Sequence, residues 1–296
     1  MWIAVRERFR RFAADLVLTD EQVQDGVTKF TNIGRSLERT CYGGNFGDHP
    51  PVFMVGSWGK RTQVRPPRDL DCFFIMPASE KARFDARSGN VQSALLQEVK
   101  GSLELTYPSS RMRGDGQVVE VAFNSLTVEV LPVFAIGNGQ FWMPDTNGGG
   151  AWKIVDPIAQ INVVHAADTA MNGNVRLLSK MMKLWAREQN VSIKSFLIEL
   201  LVAEFLPARG NGGYDFFWYD YYVRDFFIYL LSRVNGYIAI PGTGQYLPLG
   251  NDWAYKATRA RDVAIEACHW EYHDYDVTAG QEWQKIFGNR IQTHIR

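Results

Sequence analysis

The sequence predicts an α+β protein of two lobes, a first lobe with a mixed sheet and flanking helices and a second lobe made of helices. Two observations support this prediction. Short apolar strand patterns alternate with helical patterns before residue 137, and only helical spacing follows Pro157. Between them, residues 137–150 have the glycine-rich composition of a loop. We therefore expect a boundary there, with residues 1–150 in the first lobe and residues 151–296 in the helical lobe.

Composition and charge exclude several classes of protein. Of the 296 residues, 46% are hydrophobic and 13% aromatic, which indicates a well-packed core. Lys and Arg together number 32, as do Asp and Glu, so no net positive charge favours duplex nucleic acid as a partner. Cys41, Cys72 and Cys268 form no C-x-x-C pair, which argues against zinc and disulfides. No apolar run approaches about 18 residues and the basic N-terminus lacks an apolar core, so we expect a cytoplasmic protein with no membrane partner.

Two helices are expected before the first strand. Residues 3–17 carry apolar side chains at near-helical spacing, and Thr19 or Asp20 can cap a second, longer helix that runs to Tyr42. The buried stripe of this second helix should consist of Val23, Val27, Phe30, Ile33 and Leu37. Residues 43–51 have the composition of a loop.

Residues 53–77 are the most informative stretch of the chain. They have the pattern of a strand, a glycine-serine turn, a short polar segment and a second strand that begins with two aspartates. Asp69 and Asp71 are two residues apart, so both carboxylates project from one face of the strand, about 7 Å apart. Leu70 and Cys72 point the other way, into a core. The two carboxylates would repel each other unless a cation neutralised them, and hard oxygen ligands suit Mg²⁺ or Mn²⁺.

The Gly56-Ser57 pair ahead of these aspartates has the features of a phosphate site. Glycine lets the backbone approach a ligand closely, and the N–H groups of a turn form a concavity that binds anions. A helix that begins after Ser57 would add to the attraction for phosphate. A phosphate cradle followed closely by a carboxylate pair outlines a site for a metal-bound nucleotide.

A hairpin further along the chain supplies a third carboxylate. After an amphipathic helix over residues 90–105, the alternation over residues 118–123 and 126–134 predicts two antiparallel strands. Glu129 lies in mid-strand among apolar residues, where a carboxylate is costly unless it is paired or bound to a metal. Glu120 on the preceding strand is the competing candidate, and either glutamate could instead lie on a solvated face of the sheet.

Helical spacing dominates the second half of the chain. Residues 171–189 are expected to form one long helix in which Lys180 and Lys183 share a face. The aromatic residues 210–222 pack on the core or contribute to a wall that stacks against bases. Further helices are expected over residues 193–206, 223–234 and 253–272, and an irregular connection over residues 238–252.

The motifs, in this order, resemble a known family. G-S-W-G-K-R-T followed by D-L-D is similar to the nucleotidyltransferase signature of the polymerase-beta superfamily. With Thr62 and R-P-P-R ahead of D-L-D, the segment resembles the bacterial cyclic-oligonucleotide synthases (CD-NTases), relatives of animal cyclic GMP-AMP synthase and oligoadenylate synthetase. The resemblance implies a polymerase-beta-like nucleotidyltransferase lobe, bridged to the helical lobe by the long N-terminal helix.

The resemblance also implies which residues hold metal and phosphate. V-E-V-L-P matches the strand that carries the family's third metal ligand, which is usually an aspartate. Glu129 would therefore join Asp69 and Asp71 in catalysis and in holding two Mg²⁺ (or Mn²⁺) ions. Gly56 and Ser57 would hold phosphates of the nucleotide.

Two segments of the helical half resemble the triphosphate-contacting region of poly(A) polymerases and of the cyclic-oligonucleotide synthases. These are K-L-W-A and N-V-S-I-K-S-F, and in those enzymes a lysine and a downstream hydroxyl reach the β- and γ-phosphates. The match implies Lys183, with Lys180 as its alternate, and Ser195. Ser192 is a rival hydroxyl, and Lys194 could contact phosphate through its charge.

As function, the resemblance implies template-independent joining of ribonucleoside triphosphates (ATP, and others among GTP, UTP and CTP) with release of pyrophosphate. The product would be a cyclic di- or trinucleotide that activates an effector in antiphage defence, and a regulatory protein partner is compatible with this. One metal ion would lower the pKa of the attacking hydroxyl and the other would stabilise the leaving pyrophosphate. The alternatives are a linear oligoadenylate synthetase or RNA-tailing nucleotidyltransferase, and a catalytically inactive nucleotide-binding protein.

Overall fold

The structure is a computed structural model, and it describes residues 3–44 and 51–295. A mixed sheet of seven strands packs beside a body of helices, which confirms the predicted α+β class. Most of the loop expected over residues 43–51 lies outside the described residues.

The bounds of the elements fix where each motif lies. The strands are β1 (Val52–Met54), β2 (Asp69–Ile75), β3 (Arg111–Asp115), β4 (Val118–Ala122), β5 (Thr127–Gly137), β6 (Gln140–Asp145), β7 (Ala151–Val155), β8 (Tyr237–Ile240) and β9 (Gln245–Pro248). The helices are α1 (Ile3–Leu16), α2 (Asp20–Tyr42), α3 (Gly56–Lys60), α4 (Ala78–Asp85), α5 (Val91–Thr106), α6 (Pro157–Ala170), α7 (Asn174–Glu188), α8 (Ser195–Ala208), α9 (Tyr219–Ser232), α10 (Ala254–Tyr272) and α11 (Asp276–Phe287).

The strand order places the acidic strands side by side. Along the sheet the order is β1-β2-β5-β4-β3, and β6 and β7 continue from β5 as antiparallel partners. β2 pairs with β5 in parallel, with Asp71 opposite Glu129. β4 pairs with β5 antiparallel, with Glu120 opposite Glu129, which confirms the predicted hairpin.

One face of β2 and β5 forms the core of the sheet lobe, together with apolar side chains of α2 and α5. Fully buried on this face are Leu70, Cys72, Phe74, Val128 and Val130. Because side chains alternate along a strand, the acidic residues of β2 and β5 emerge on the opposite face. The prediction that Leu70 and Cys72 point into a core is confirmed.

The helix α2 begins where the sequence predicts, but its buried face differs from the prediction. Thr19 is its N-cap and forms a capping box. Val23 and Val27 were expected to be buried and are instead 39% and 37% exposed. The helix turns Gly26 toward the sheet lobe, where the ring of Trp58 packs so closely that a Cβ on Gly26 would lie 2.2 Å from it. A small residue at the contact, rather than the apolar stripe, therefore sets the rotation of this part of α2.

Two stretches that were expected to be irregular contain strands, so these predictions are wrong. Residues 137–150 include β6, which pairs with both β5 and β7. Residues 238–252 include most of the β8–β9 hairpin. In both stretches glycines lie at the turns between short strands, while Pro144 and Pro248 lie within β6 and β9. Composition alone does not separate this arrangement from a loop. The division of the chain at residue 150 stays a prediction, although β7 belongs to the sheet beyond it.

The helical lobe has one large core, and α1 is part of it. Phe9 of α1 packs edge-on against Trp283, with 5.2 Å between ring centroids. The helix expected over residues 171–189 begins only at Asn174, because Asn172 and Gly173 adopt positive φ and end the preceding helix. Since α1 packs in the helical lobe and α2 on the sheet, the N-terminal segment spans both lobes as expected. None of the helices described combines the length and hydropathy needed to cross a bilayer.

A buried ion network joins α1 to the C-terminal part of the chain. Arg8 is fully buried, and its guanidinium donates to the carboxylate of Glu271 at 2.8 Å and to that of Asp276 at 2.6 Å. It also donates to the backbone carbonyl of Thr293 at 3.0 Å. Burial raises the pKa of Glu271, and the charge of Arg8 acts in the opposite direction.

Arg8→Ala is expected to lower the free energy of unfolding by about 3–5 kcal/mol, because it leaves the Glu271 carboxylate buried without this cation. Urea denaturation followed by circular dichroism measures the change. Arg10→Ala removes an exposed arginine from the same helix and should cost less than about 1 kcal/mol. Equal losses in the two variants would contradict the role of the network.

Candidate active site

A cleft of about 610 Å³ lies between the sheet and the helical lobe, a size typical of small-molecule sites. Most of the predicted site residues line it, on both sides. They are Gly56, Ser57, Asp69, Asp71, Lys183 and Ser195. Glu129 and Lys180 are not among the lining residues.

The glycine-serine turn lies directly on Asp71. Gly56 adopts a φ of +55°, and a Cβ at this position would lie 1.9 Å from Oδ2 of Asp71, so glycine is required here. The backbone N–H of Val55 donates to the carbonyl of Asp71 at 3.0 Å. The indole N–H of Trp58 donates to the carbonyl of Asp69 at 2.8 Å. These contacts fix both aspartates relative to the turn.

The three carboxylates lie on neighbouring strands. Asp71 and Glu129 are opposite in register and share a side-chain hydrogen bond. Burial and the charge of Asp69 raise the pKa of Asp71. Burial, followed by the charges of Asp71 and Asp69, raises the pKa of Glu129 to about 8. Negative charge at this point of the sheet is therefore insufficiently compensated by the protein alone.

Glu120, the competing candidate for the third acid, is paired elsewhere. It lies opposite Glu129 on β4, but its carboxylate forms an ion pair with Arg113 at 3.0 Å. Neither glutamate lines the cleft, but only Glu129 lies on the strand next to β2, directly opposite Asp71. The geometry therefore favours Glu129 over Glu120 as the partner of the two aspartates.

The chemistry of Asp69, Asp71 and Glu129 suits a divalent cation. Within residues 3–44 and 51–295, no group of three or more His, Cys, Asp or Glu side chains already stands in a metal-binding arrangement. Asp71 and Glu129 are instead held together by the hydrogen bond between them. The donor set is nevertheless three carboxylates, the hard ligands that Mg²⁺ and Mn²⁺ prefer, and the raised pKa values indicate a site short of positive charge.

A buried carboxylate in the cleft wall holds two lysines. Glu199 on α8 is 1% exposed; its Oε2 accepts from Nζ of Lys60 at 2.6 Å and its Oε1 from Nζ of Lys183 at 3.0 Å. The hydroxyl of Thr62 also donates to Glu199. Burial alone would raise the pKa of Glu199, but the two lysines and Thr62 together lower it to about 2. Two positive charges are thereby fixed beside the glycine-serine turn.

The two lysines predicted as alternates on α7 contact different groups. Both donate to the backbone ahead of β2, Lys183 to the carbonyl of Thr62 at 3.1 Å and Lys180 to that of Gln63 at 2.7 Å, but only Lys183 also pairs with Glu199 and lines the cleft. Burial lowers the pKa of Lys180 to about 8. Arg176, one turn earlier on α7, donates to the carbonyl of Lys60 at 2.9 Å. This face of α7 therefore fixes the backbone that leads from α3 toward β2.

The structure also distinguishes the two candidate serines. Ser195, the first residue of α8, lines the cleft. Neither Ser192 nor Lys194 is among the lining residues. Ser195, which the resemblance implies as the phosphate-binding hydroxyl, is therefore better placed for this role than Ser192.

Sequence reasoning missed four charged residues of the cleft. They are Lys60, Arg68, Arg187 and Glu199. For Glu199 a signal was present, since it is a lone carboxylate within the apolar run S-F-L-I-E-L-L-V and such a group must find a cation when buried. Arg68 stands in R-P-P-R, which is part of the family resemblance, and Arg187 at the end of K-L-W-A-R, but the spacing of residues does not indicate that either side chain faces a cleft.

The family model for the Second Messenger Oligonucleotide or Dinucleotide Synthetase (SMODS) domain matches residues 3–167, more than half of the chain. The chain belongs to the SMODS family. The match includes the glycine-serine turn, both aspartates and Glu129. This SMODS protein is therefore a nucleotidyltransferase, as the resemblance of its motifs implied.

Two relatives of the SMODS chain support this membership. It is 22% identical over 281 residues to a probable cyclic nucleotide synthase of Bacillus cereus (strain VD146), with 82% of each protein covered. It is 25% identical over 190 residues to the cyclic AMP-AMP-AMP synthase of Acinetobacter sp. (strain ATCC 27244 / 9458). That second match covers 63% of this chain and about half, 52%, of the relative.

Solved structures share the fold of the SMODS chain over nearly its whole length. E. coli MS115-1 CdnC, solved with ATP, has a TM-score of 0.71 and 22% identity, covering 97% of this chain and 98% of that one. The CD-NTase CdnG of Bradyrhizobium diazoefficiens, solved with GTP, has a TM-score of 0.72 and 11% identity, covering 97% and 95%. These matches confirm the predicted CD-NTase fold.

Proposed function

We propose that this SMODS protein joins ribonucleoside triphosphates without a template and closes the product into a cyclic di- or trinucleotide, with release of pyrophosphate. The observation that carries the proposal is the placement of the glycine-serine turn against Asp71, with Lys60 and Lys183 beside it and Glu129 behind it. Two relatives are named as cyclic nucleotide synthases, and two structural neighbours were solved with ATP and GTP, which supports triphosphates as substrates.

In this proposal the residues near the glycine-serine turn bind the β- and γ-phosphates of the donor nucleotide. The backbone of Gly56 and the hydroxyl of Ser57 contact phosphate oxygens from the sheet side, and Lys183 and Ser195 contact them from the helical side. Charges that are fixed in advance, as Lys183 is by Glu199, stabilise the charge that gathers on phosphate oxygens in the transition state. Binding the leaving phosphates also holds the α-phosphate in line with the attacking hydroxyl.

Asp69, Asp71 and Glu129 would hold the divalent cations of the reaction, two Mg²⁺ or Mn²⁺ ions. When bound, such ions lower the pKa of the attacking hydroxyl and offset the charge of the leaving pyrophosphate. Without a cation the three carboxylates repel a triphosphate, and Asp71 and Glu129 share a proton instead. The backbone contacts of Asp69 and Asp71 keep the carboxylates directed at the cleft.

A regulatory protein partner and a product-activated effector in antiphage defence belong to the same proposal. One structural neighbour was solved as a complex of E. coli MS115-1 CdnC with HORMA-deltaN; its CdnC has a TM-score of 0.69 and 22% identity to this chain. This neighbour supports the idea that a protein of this fold binds a partner.

The test is incubation with Mg²⁺ and the four ribonucleoside triphosphates, followed by mass analysis and digestion of the products with nuclease and phosphatase. The proposal predicts release of pyrophosphate and a small product that resists both enzymes. A ladder of linear products would support the oligoadenylate or tailing alternative instead. Absence of pyrophosphate release would contradict the proposal and favour an inactive nucleotide-binding protein.

Lys183→Ala is expected to raise the KM for nucleoside triphosphates by about tenfold or more, because a hydrogen bond to a charged phosphate is lost. Lys180→Ala should leave this KM within about threefold and lower the melting temperature, since Lys180 does not itself line the cleft and its ammonium is bound to the backbone carbonyl of Gln63. Steady-state pyrophosphate release and thermal denaturation measure both effects. A larger rise in KM for Lys180→Ala than for Lys183→Ala would reverse the assignment.

A further inference from the structure

Another cavity lies inside the helical lobe, among α7, α10 and α11. No described residue lines both this cavity and the cleft, and its volume is about 180 Å³. Sites for drug-sized ligands usually measure about 300–1,000 Å³, so this cavity suits a smaller molecule than a nucleoside triphosphate. We call it the α7–α10–α11 pocket. Its walls include three cations and three large apolar side chains, Lys256, Arg259, Lys285, Trp185, Val263 and Ile286.

The α7–α10–α11 pocket has positive charge and lacks a carboxylate in its walls. None of the described residues that line it is an Asp or a Glu. The guanidinium of Arg259 forms no ion pair or hydrogen bond within the described part of the chain. Lys256 donates to two backbone carbonyls at the end of α7, at 2.7 and 2.6 Å, which leaves one of the three N–H groups of its ammonium. Lys285 has a carboxylate partner outside the pocket, Glu282, at 2.5 Å.

A buried hydrogen-bond donor without an acceptor lies at the same pocket. Trp185 of α7 is fully buried and lines the pocket, and its indole N–H has no hydrogen-bond partner within residues 3–44 and 51–295. A buried indole N–H normally finds an acceptor, and leaving this donor unpaired is unfavourable. An oxygen atom of a ligand in the pocket would supply the acceptor that the protein does not.

We propose that the α7–α10–α11 pocket binds a small organic anion, in which a carboxylate or phosphate group is attached to an apolar body. Arg259 and Lys256 donate to the oxygens of the anion, since the planar guanidinium can form two parallel hydrogen bonds with such a group. One oxygen accepts from the indole N–H of Trp185, and the apolar body packs on Val263 and Ile286. The site is separate from the cleft, so this inference goes beyond the proposed nucleotidyl transfer and does not depend on it.

Phenyl phosphate is the probe, because it joins an oxyanion to an apolar ring, and isothermal titration calorimetry measures its binding to the full chain. Saturating Mg²⁺ and a non-hydrolysable nucleoside triphosphate are present, so that the cleft is occupied. We expect one phenyl phosphate per chain to bind, at least about tenfold more tightly than inorganic phosphate, because its ring covers apolar surface. Absence of binding would overturn the site. Equal affinity for inorganic phosphate would also overturn it, because surface charge alone would then explain the binding.

Arg259→Ala removes an exposed cation of the pocket and should lower the affinity for phenyl phosphate by about tenfold to a hundredfold. Arg261→Ala is the matched control, because it removes an arginine of the same helix that pairs with Asp262 at 2.7 Å and does not line the pocket. The control should bind as tightly as the wild type. Equal affinity in Arg259→Ala and Arg261→Ala would overturn the site.

The indole N–H of Trp185 provides a direct readout of where the anion binds. In ¹⁵N-labelled protein its signal is identified by its absence from the spectrum of Trp185→Phe. This signal should move downfield when phenyl phosphate binds, because the indole gains a hydrogen bond. A signal that is unchanged at saturation would overturn the site, because the anion would then lie elsewhere.

The proposed function can fail while this inference holds. If the protein binds no nucleoside triphosphate and releases no pyrophosphate, the proposed function is contradicted. The same titration without nucleotide, with Arg259→Ala compared against Arg261→Ala, then still decides whether the α7–α10–α11 pocket binds the anion.

Discussion

Asp71→Asn is expected to reduce nucleotidyl transfer by at least about a thousandfold while the protein folds at least as stably as the wild type. The loss follows because a cation ligand at the reacting phosphate contributes several kcal/mol to the transition state, and about 4 kcal/mol corresponds to a thousandfold in rate. Asp69→Asn, in the same cleft, should behave in the same way. Pyrophosphate release measured with Mg²⁺ and mixed ribonucleoside triphosphates tests the activity.

Asp71 lowers the stability of the folded protein when it is ionised. Burial and the charge of Asp69 raise the pKa of Asp71, so its charged form is less favourable in the folded state than in the unfolded chain. Ionisation of Asp71 therefore destabilises the wild type increasingly as the pH rises above the pKa of this group in the unfolded chain. Asp71→Asn removes it, so the melting temperature of the variant should exceed that of the wild type at pH 8, and by less at pH 5.

Glu120→Gln is the matched control for the acid site. Glu120 lies opposite Glu129 on the next strand but is paired with Arg113, so its replacement should leave activity within about threefold. Activity lost equally in Glu120→Gln and Asp71→Asn would contradict the choice of acids. We expect Asp71 to serve catalysis at the expense of stability. If the Asp71→Asn variant is inactive because it is unfolded, this expectation is contradicted.

Glu199→Gln is expected to lower the free energy of unfolding by about 3–5 kcal/mol, because Lys60 and Lys183 lose their shared counter-charge inside the protein. The effect should depend on pH. The pKa of Glu199 is about 2 in the folded protein against an ordinary value of 4.5, so its contribution to stability is fully present above about pH 4.5 and is lost as the pH falls toward 2. The difference between wild type and variant should therefore shrink by about 3 kcal/mol over this window.

Urea denaturation at a series of pH values measures this dependence. Glu188→Gln is the control, since Glu188 is a partly exposed glutamate of α7 whose distance to Arg187 is 3.6 Å, and it should cost less than about 1 kcal/mol. A Glu199→Gln variant as stable as the wild type at pH 7 would show that the two lysines do not need this carboxylate. Tripolyphosphate should stabilise Glu199→Gln more than the wild type, because it supplies negative charge to the lysines.

Local patterns in the sequence were sufficient for the parts of the site that lie on one element. Asp69 and Asp71 share a strand face because of their spacing alone, and Lys180 and Lys183 share a helix face for the same reason. The need for glycine at position 56 follows from a close approach that the G-S motif indicated. The α+β class and the hairpin that contains Glu129 were likewise visible in the periodicity of the chain.

Contacts between distant elements could not be read from the spacing of residues. The parallel pairing of β2 with β5 places Glu129 beside Asp71, and only the resemblance to a family indicated this. Lys180 and Lys183 look alike in the sequence, and both donate to backbone carbonyls of residues 62–63, but only Lys183 also pairs with Glu199 and lines the cleft. Val23 and Val27 are exposed because a glycine admits the ring of Trp58, a three-dimensional fit that an apolar stripe does not encode.

In the proposed mechanism the carboxylates of β2 and β5 together hold divalent cations at the phosphates of a nucleotide. Crystals grown with Mn²⁺ and a non-hydrolysable nucleoside triphosphate test it most directly through anomalous scattering. We predict Mn²⁺ density bound by Asp69 and Asp71, with Glu129 turned from its hydrogen bond with Asp71 to ligate the metal. Two results would contradict this mechanism. One is Mn²⁺ density at another place, and the other is a nucleotide bound in the cleft without metal while Glu129 remains paired with Asp71.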